Sequence, residues 1–451
     1  MATSEAQAAA SAGRARLTTG PVWRHLVNLG VPMAWGIFAV IAFNVVDTYF
    51  VGQLGTEPLA ALAFTFPVAM TVTSLAIGLG IGTASVLARA IGSADESEVR
   101  RLTTDSLLLS TLLVTALAII GILTIDPLFA LIGAGPDTLP LLREYMVVWY
   151  IGMPMLVVPM IGNFAMRAWG DALFPSLLMT ISAIINGVLD PFLIFGWWVF
   201  PELGIQGAAY ASLVARTITL IAAIAILHGR MRMIDWHLPR PGHLWASARQ
   251  IGHIAGPAAA TNVINPLANG LVTAFVAGYG SAAVAGFGVA TRIEALALIP
   301  MLALTAGLGP IVGQNWGADE RERVHLALRQ SAGFCLFWGA GIALVMALLA
   351  RPLAGLFDEH AETIDAAVLY LHIVPASFAA YGVLICVNSA MNAAGKPLVA
   401  TALMVSRTFL LYVPLAWLGA QYIGLWAIFA AGLVASLITG GLAWVQRGRL
   451  L

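Results

Sequence analysis

Apolar residues run along this chain in blocks of twenty or more, separated by short polar stretches that carry most of the charge. A helix needs about 20 mainly apolar residues to cross the hydrocarbon core of a bilayer. The pattern predicts spans near 26–52, 59–84, 105–125, 144–166, 173–197 and 204–227. A second set falls near 250–277, 283–311, 327–350, 366–391, 397–418 and 423–446. The period-two alternation that a transmembrane barrel requires is absent from these blocks. Prolines recur inside them (Pro32, Pro67, Pro154, Pro191, Pro257 and Pro300 among others). Membrane helices accept such residues where neighbours satisfy the freed backbone groups. The expected fold class is an all-α polytopic membrane protein with twelve transmembrane helices.

Displaced by 225 residues, the chain matches itself: Asn44–Gly55 lies over Asn269–Gly280, Pro32 over Pro257, Gly82 over Gly307 and Gly92 over Gly317. The same displacement sets Asn163 on Asn388 and Met166 on Met391, and the register slips to 220 in the last span of each half. Six spans per repeat is an even number, so both halves share one topology. Two six-helix bundles are therefore expected, related by a pseudo-two-fold axis along the membrane normal, as in transporters built from parallel repeats. The expected organisation is a disordered cytoplasmic tail over 1–24, an N-lobe over 25–228 holding spans 1–6, a cytoplasmic linker over 229–249, and a C-lobe over 250–451 holding spans 7–12. Residues 1–24 are rich in Ala and Ser without an apolar core, unlike a signal peptide.

Composition narrows the class further. The 451 residues are 60% hydrophobic and only 10% charged, against roughly 25% charged in a soluble protein. Twenty-two basic and 22 acidic residues cancel, which leaves no field to hold nucleic acid. The two cysteines, Cys335 and Cys386, lie in apolar blocks and supply no disulfide framework. With the N-terminus inside, 17 of the 22 cations fall in cytoplasmic segments, and only Arg143 and Arg351 fall outside. The positive-inside rule then puts both termini in the cytoplasm of a multi-pass inner-membrane protein. Trp197 and Trp198 fall at the outer interface, where aromatic belts form.

Positions that break the repeat carry the candidate chemistry. Asp47 in the first span is matched by Val272, and Asp190 in the fifth by Leu415, or by Leu410 in the slipped register. A carboxylate at mid-membrane costs at least about 2.5–3.5 kcal/mol, so each must face the bundle interior or a wet cavity. Counting from Gly55 and Trp197, both lie about 10 Å below the outer surface at a rise of 1.5 Å per residue. Ser182, Asn186 and Asp190 recur every four residues on one helix face, and Asn44 shares a face with Asp47 and Thr48. Pro191 removes a donor and leaves the Gly187 carbonyl free. Oxygen-rich walls of this kind suit a proton-accepting carboxylate or a small hard cation. Asn44 and Asn163 also read as helix-packing groups, because their repeat partners Asn269 and Asn388 are the same residue. Arg292 and Glu294 are two apart and do not share a face, which favours packing or inter-helix pairing. Arg216 and Arg407 lie within spans, where snorkelling or pairing is the default. No Gly-x-x-x-x-Gly-Lys loop for ATP, no zinc-binding His pair and no Gly-x-Ser-x-Gly elbow occurs. An enzyme is not expected.

Four segments, Asn44–Gly55, Asn186–Pro191, Thr291–Glu294 and Val312–Ala318, resemble the multidrug and toxic compound extrusion (MATE) family. The resemblance implies two six-helix lobes forming a V, which extrude amphipathic, mostly cationic organic compounds against a proton or sodium gradient. It further implies a branch similar to the DinF proteins, whose N-lobe acids correspond to Asp47, Asn186 and Asp190 here. Acids of the NorM-like pattern in the seventh and tenth spans are lacking. Ser212 matches a hydroxyl position that serves as an ion ligand in some relatives. The expected coupling site is thus Asp47, Asp190 and Asn186, for a proton or for sodium, with contacts to ion or substrate from Asn44, Thr48, Asn163, Ser182, Ser212 and Arg292. The expectation is a monomeric antiporter with no cofactor beyond that ion, no ATP and no nucleic-acid partner. Sodium-coupled antiport is the nearest alternative. A lipid or lipid-linked-sugar flippase is the other, although it would want a more basic cavity than Arg292, Arg216 and Arg407 supply.

Overall fold

The computed structural model describes residues 15–136, 138–236 and 240–450. Twelve long helical stretches follow one another among them. They run Val22–Gly52, Thr56–Gly92, Glu96–Leu123, Thr138–Ala168, Leu173–Phe195 and Ile205–Arg230 in the first half. The second half holds Pro241–Ala277, Ser281–Gly317, Arg321–Gly355, Ala361–Ala393, Pro397–Tyr422 and Leu425–Leu450. Each coincides with one predicted span, falling short of an expected end by two residues at most, and most extend past it by a turn or more. Ten are long and apolar enough to cross a membrane as single helices. The fourth does so as a pair bent by 43° between Ile151 and Met153, where Gly152 precedes a proline at the start of the second piece. The seventh is long enough but less apolar, because Asn262, Asn265, Asn269 and Thr273 recur on one of its faces.

Two expectations about the connections are corrected. From residue 15 onward the supposed tail is folded onto the bundle: Arg16–Thr18 form a 3-10 turn and Leu17 is buried. The Leu17 N–H donates to Gln314 Oε1 at 3.1 Å, and its carbonyl accepts from Asn315 Nδ2 at 3.1 Å. Leu17 also packs beneath Gly170, so an apolar residue in an Ala-rich stretch found a pocket that composition does not reveal. Residues 1–14 lie outside the described residues. The linker is also shorter than expected, because Pro241 opens the seventh helix. Its fixed φ suits a first helical position and its missing N–H costs nothing there.

The first span packs along the fifth and the eighth, and the second along the seventh and the eighth, so the first, second, seventh and eighth join the halves. The repeat governs that seam. A Cβ on Gly92 would lie 2.0 Å from the Gln314 carbonyl oxygen, and one on Gly317 would lie 2.1 Å from that of Arg89. Gly92 and Gly317 are repeat partners, and so are Arg89 and Gln314. A Cβ on Gly313 would meet Ala88, its own repeat partner, at 2.5 Å, which puts that contact on the pseudo-two-fold axis. Gly82 faces Ala255 while Gly307 faces Leu29 and Gly30, again an exchanged pair. Small residues bring the backbones together where lipid offers no competing drive.

Hydrogen bonds seal the same end of the molecule, the one that carries most of the arginines. Ser85 Oγ donates to the Asn392 carbonyl at 2.5 Å, Arg89 to that of Ala393 at 3.0 Å, and Gln314 Nε2 to that of Ala168 at 2.7 Å. Ser247 Oγ donates to the buried Asp105 at 2.5 Å, with Arg101 donating to Ser247 at 3.1 Å. Nearby, Asp95 caps the third helix by accepting from the Glu98 N–H and the Ser97 hydroxyl, and these donors hold its carboxyl below the usual 3.8. Towards the opposite end, Gly52, Gly55, Gly270, Gly280 and Gly288 have no atom near enough to meet a Cβ. The close contacts and hydrogen bonds that tie the halves together are thus gathered at the basic end.

Gly92→Ala and Gly317→Ala are each expected to lower the melting temperature of the purified protein, by an overpacking cost of about 1–3 kcal/mol. Gly270→Ala, with open space around it, serves as the control. A Gly92→Ala protein that melts with that control contradicts the seam.

Candidate functional site

On the fifth span Asn186 and Asp190 are one turn apart and both buried, Asp190 completely. On the sixth, Ser212 and Arg216 have the same spacing. Asn186 Nδ2 donates to Ser212 Oγ at 2.8 Å, which ties the two faces together. Asp47, half-buried on the first span, lies within electrostatic range of both Asp190 and Arg216. Tyr145, on the first piece of the bent fourth span, interacts with all three charges. Four spans of the first half thus converge on two acids and one base.

The donors do not balance the acceptors. Among the described residues neither carboxylate oxygen of Asp190 has a hydrogen-bond partner, and neither does Asn186 Oδ1. Three acceptors one turn apart, with no donor aimed at them, suit a proton or a hard monovalent cation; an uncompensated charge there is costly. With both acids ionised and Arg216 charged, the cluster carries one net negative charge. A single monovalent cation neutralises it.

The other predicted site residues make no hydrogen bond to this cluster among the described residues. Asn44 and Thr48 are exposed, and the Thr48 hydroxyl donates to the Asn44 carbonyl at 2.8 Å. Asn269 and Thr273 repeat that arrangement at 2.7 Å on the seventh span. Asn163 is half-buried with an unpartnered Oδ1, Ser182 is half-buried, and Arg292 is exposed. Arg216 and Tyr145 were not singled out as site residues in the sequence, although the four-residue step from Ser212 to Arg216 was legible there.

A second polar group sits in the other half. Glu294 accepts from the Tyr370 hydroxyl and lies within electrostatic range of Arg407. Arg407 donates through Nε to Ser436 Oγ at 3.1 Å and sits over the Tyr381 ring, 4.6 Å from its centroid. It stands in a π-helical stretch, Ser406–Tyr412, of the kind often found at functional sites. Tyr370 is the repeat partner of Tyr145, so each half gathers an acid and an arginine around an equivalent tyrosine. Carrying Tyr145 through the repeat is the signal that would have found this group.

A twelve-helix bundle of two joined halves, with buried charges inside each, is the architecture of a secondary membrane transporter. The MatE family model matches residues 32–192 and again 257–418, two copies whose starts differ by the displacement of the internal repeat. The chain belongs to the MATE family, whose members are transporters rather than enzymes. It is 38% identical to the FAD transporter of Shewanella oneidensis, over 94% of each chain. It is 25% identical to the probable multidrug resistance protein YoeA of Bacillus subtilis, over 92% of each. The crystal structure of the Vibrio cholerae MATE transporter VcmN in its bent form superposes with a TM-score of 0.89 at 32% identity, covering 95% of this chain and 96% of that one.

Ser212→Ala removes the hydroxyl oxygen that accepts from the Asn186 amide and is expected to cost roughly 1 kcal/mol, the range of inter-helix hydrogen bonds in membranes. Thermal melting of purified protein reads this, with Ser212→Thr as the restoring variant. Equal melting of Ser212→Ala and wild type means that Asn186 finds another partner.

Proposed function

We propose that the chain is a proton-coupled antiporter of the inner membrane that exports amphipathic organic compounds, with Asp47, Asp190 and Asn186 as its coupling site. The observation that carries this reading is the fully buried Asp190 carboxylate, unpartnered and within reach of Asp47 and Arg216. The basic end is the cytoplasmic one by the excess of arginine, so the seam closes the inner side and the cleft opens outward. Both termini then lie in the cytoplasm. A proton arriving from outside neutralises the cluster. This removes the cost of enclosing its negative charge, and the first span closes on the fifth and sixth. Closure expels a substrate held in the cleft, and release of the proton inside resets the cycle. The protein works as a monomer without ATP, since each chain carries both halves of the cleft.

Sodium is the second reading, favoured by the all-oxygen character of Asp190, Asn186 and Ser212. The Shewanella relative bears the name of a flavin dinucleotide transporter, which makes flavin nucleotides a cargo class to test beside organic cations.

In cells expressing the protein, Asp47→Asn and Asp190→Asn are each expected to reduce ethidium efflux to the level of empty vector while the variants remain folded and membrane-inserted. Near-normal efflux by either variant overturns the coupling site. In proteoliposomes at equal pH on both sides, substrate movement driven by a sodium gradient alone would replace the proton with sodium.

A further inference from the structure

Arg292 is a charge that the coupling mechanism leaves unused. It stands twelve residues past Gly280 on the eighth span, about 18 Å from the outer turn at 1.5 Å per residue. A hydrocarbon core is about 30 Å thick, so the side chain emerges near its middle. It is exposed, and among the described residues it makes no hydrogen bond or ion pair. Its neighbour Glu294 is turned the other way, to Tyr370. A bare guanidinium at this depth is not stable against lipid and must face water.

The face it occupies agrees. On its outer side Ser281, Ala285, Gly288 and Arg292 follow one another at three- and four-residue steps, and the first bulky exposed side chain on that face is Leu296, one turn deeper. A face built for lipid looks different: the ninth span exposes Phe337, Leu344 and Leu348 at seven- and four-residue steps. Asn44 and Asn269, repeat partners and both exposed, lie eleven residues before Gly55 and Gly280, which is about 16 Å from that turn. Two amides and one arginine therefore open at one depth, on spans that meet at the seam between the halves. The fold does not need the charge, because the repeat partner of Arg292 is Pro67.

We propose that Arg292 is an anion-binding point in the transport cleft, which receives a phosphate of an aromatic nucleotide whose ring edges meet the Asn44 and Asn269 amides. A guanidinium presents paired donors that match phosphate oxygens. The two amides offer donor and acceptor edges in the same layer. This rests on the transporter reading above and names the substrate class that the cleft selects.

The test is equilibrium binding of riboflavin, flavin mononucleotide and flavin adenine dinucleotide to the full-length protein in nanodiscs of zwitterionic lipid. Wild type is expected to bind both phosphorylated flavins more tightly than riboflavin. Arg292→Gln is expected to erase that preference, a loss of about tenfold for one charge-assisted contact, with Arg292→Lys recovering part of it. Binding of all three flavins with equal affinity, or of none, overturns the proposal, as does an unchanged preference in Arg292→Gln. If exchange for phosphatidylglycerol abolishes the preference, the guanidinium serves lipid phosphate and the proposal is overturned. Failure of the transport reading looks different: phosphate-selective binding persists while no substrate moves and Asp47→Asn changes nothing.

Discussion

The molecule is organised by the crossing of its second and eighth spans, where Ala88 meets Gly313 and two glycines admit each other's neighbouring carbonyls. Helices in lipid gain little from burying apolar surface, so close approach through small residues and hydrogen bonds must hold them together. Here both are concentrated at the basic end. Each half contributes equivalent positions to that contact because the two are repeats of one unit. Locking one end of two six-helix bodies leaves the other end free to part, which is what the proposed outward cleft requires.

Scarcity of charge makes the interior interpretable. Hydrocarbon supplies no partner for an ionised group, so every buried charge must be answered by protein, by a bound ion or by water. Arg407 and Glu294 are answered within their half, by Ser436 and by Tyr370. Among the described residues Asp190 is not answered by any donor, and Arg292 is exposed without an ion pair. Those two stand at different places for different purposes, the first sealed inside one half and the second open to the cleft. A proton or sodium ion suits the sealed acid, and an anionic solute suits the open base.

Symmetry separates what the fold requires from what function adds. The tyrosine in each half, the Asn and Thr pair of the first and seventh spans, and the seam glycines Gly92 and Gly317 all occur twice. Asp47, Asp190 and Arg292 occur once, against Val272, Leu415 or Leu410, and Pro67. A transporter with identical halves would couple identically in both. Coupling on one side and cargo contact on the other need differences of this kind.

Twelve spans, their duplication and the singular acids were legible in the sequence, because lipid imposes a length and an apolarity on each crossing and repetition leaves its mark residue by residue. Asn186 and Asp190 could be put on one helix face from their spacing alone. The partnership of Asn186 with Ser212, and of Asp47 with Arg216 and Tyr145, could not, since it depends on which faces of four separate helices meet. The folding of Leu17 beneath Gly170 and the exposure of Arg292 escaped for the same reason. Spacing along one helix is a local property of the chain. Which helix stands opposite, and whether water or lipid lies between, is decided only when all twelve are packed.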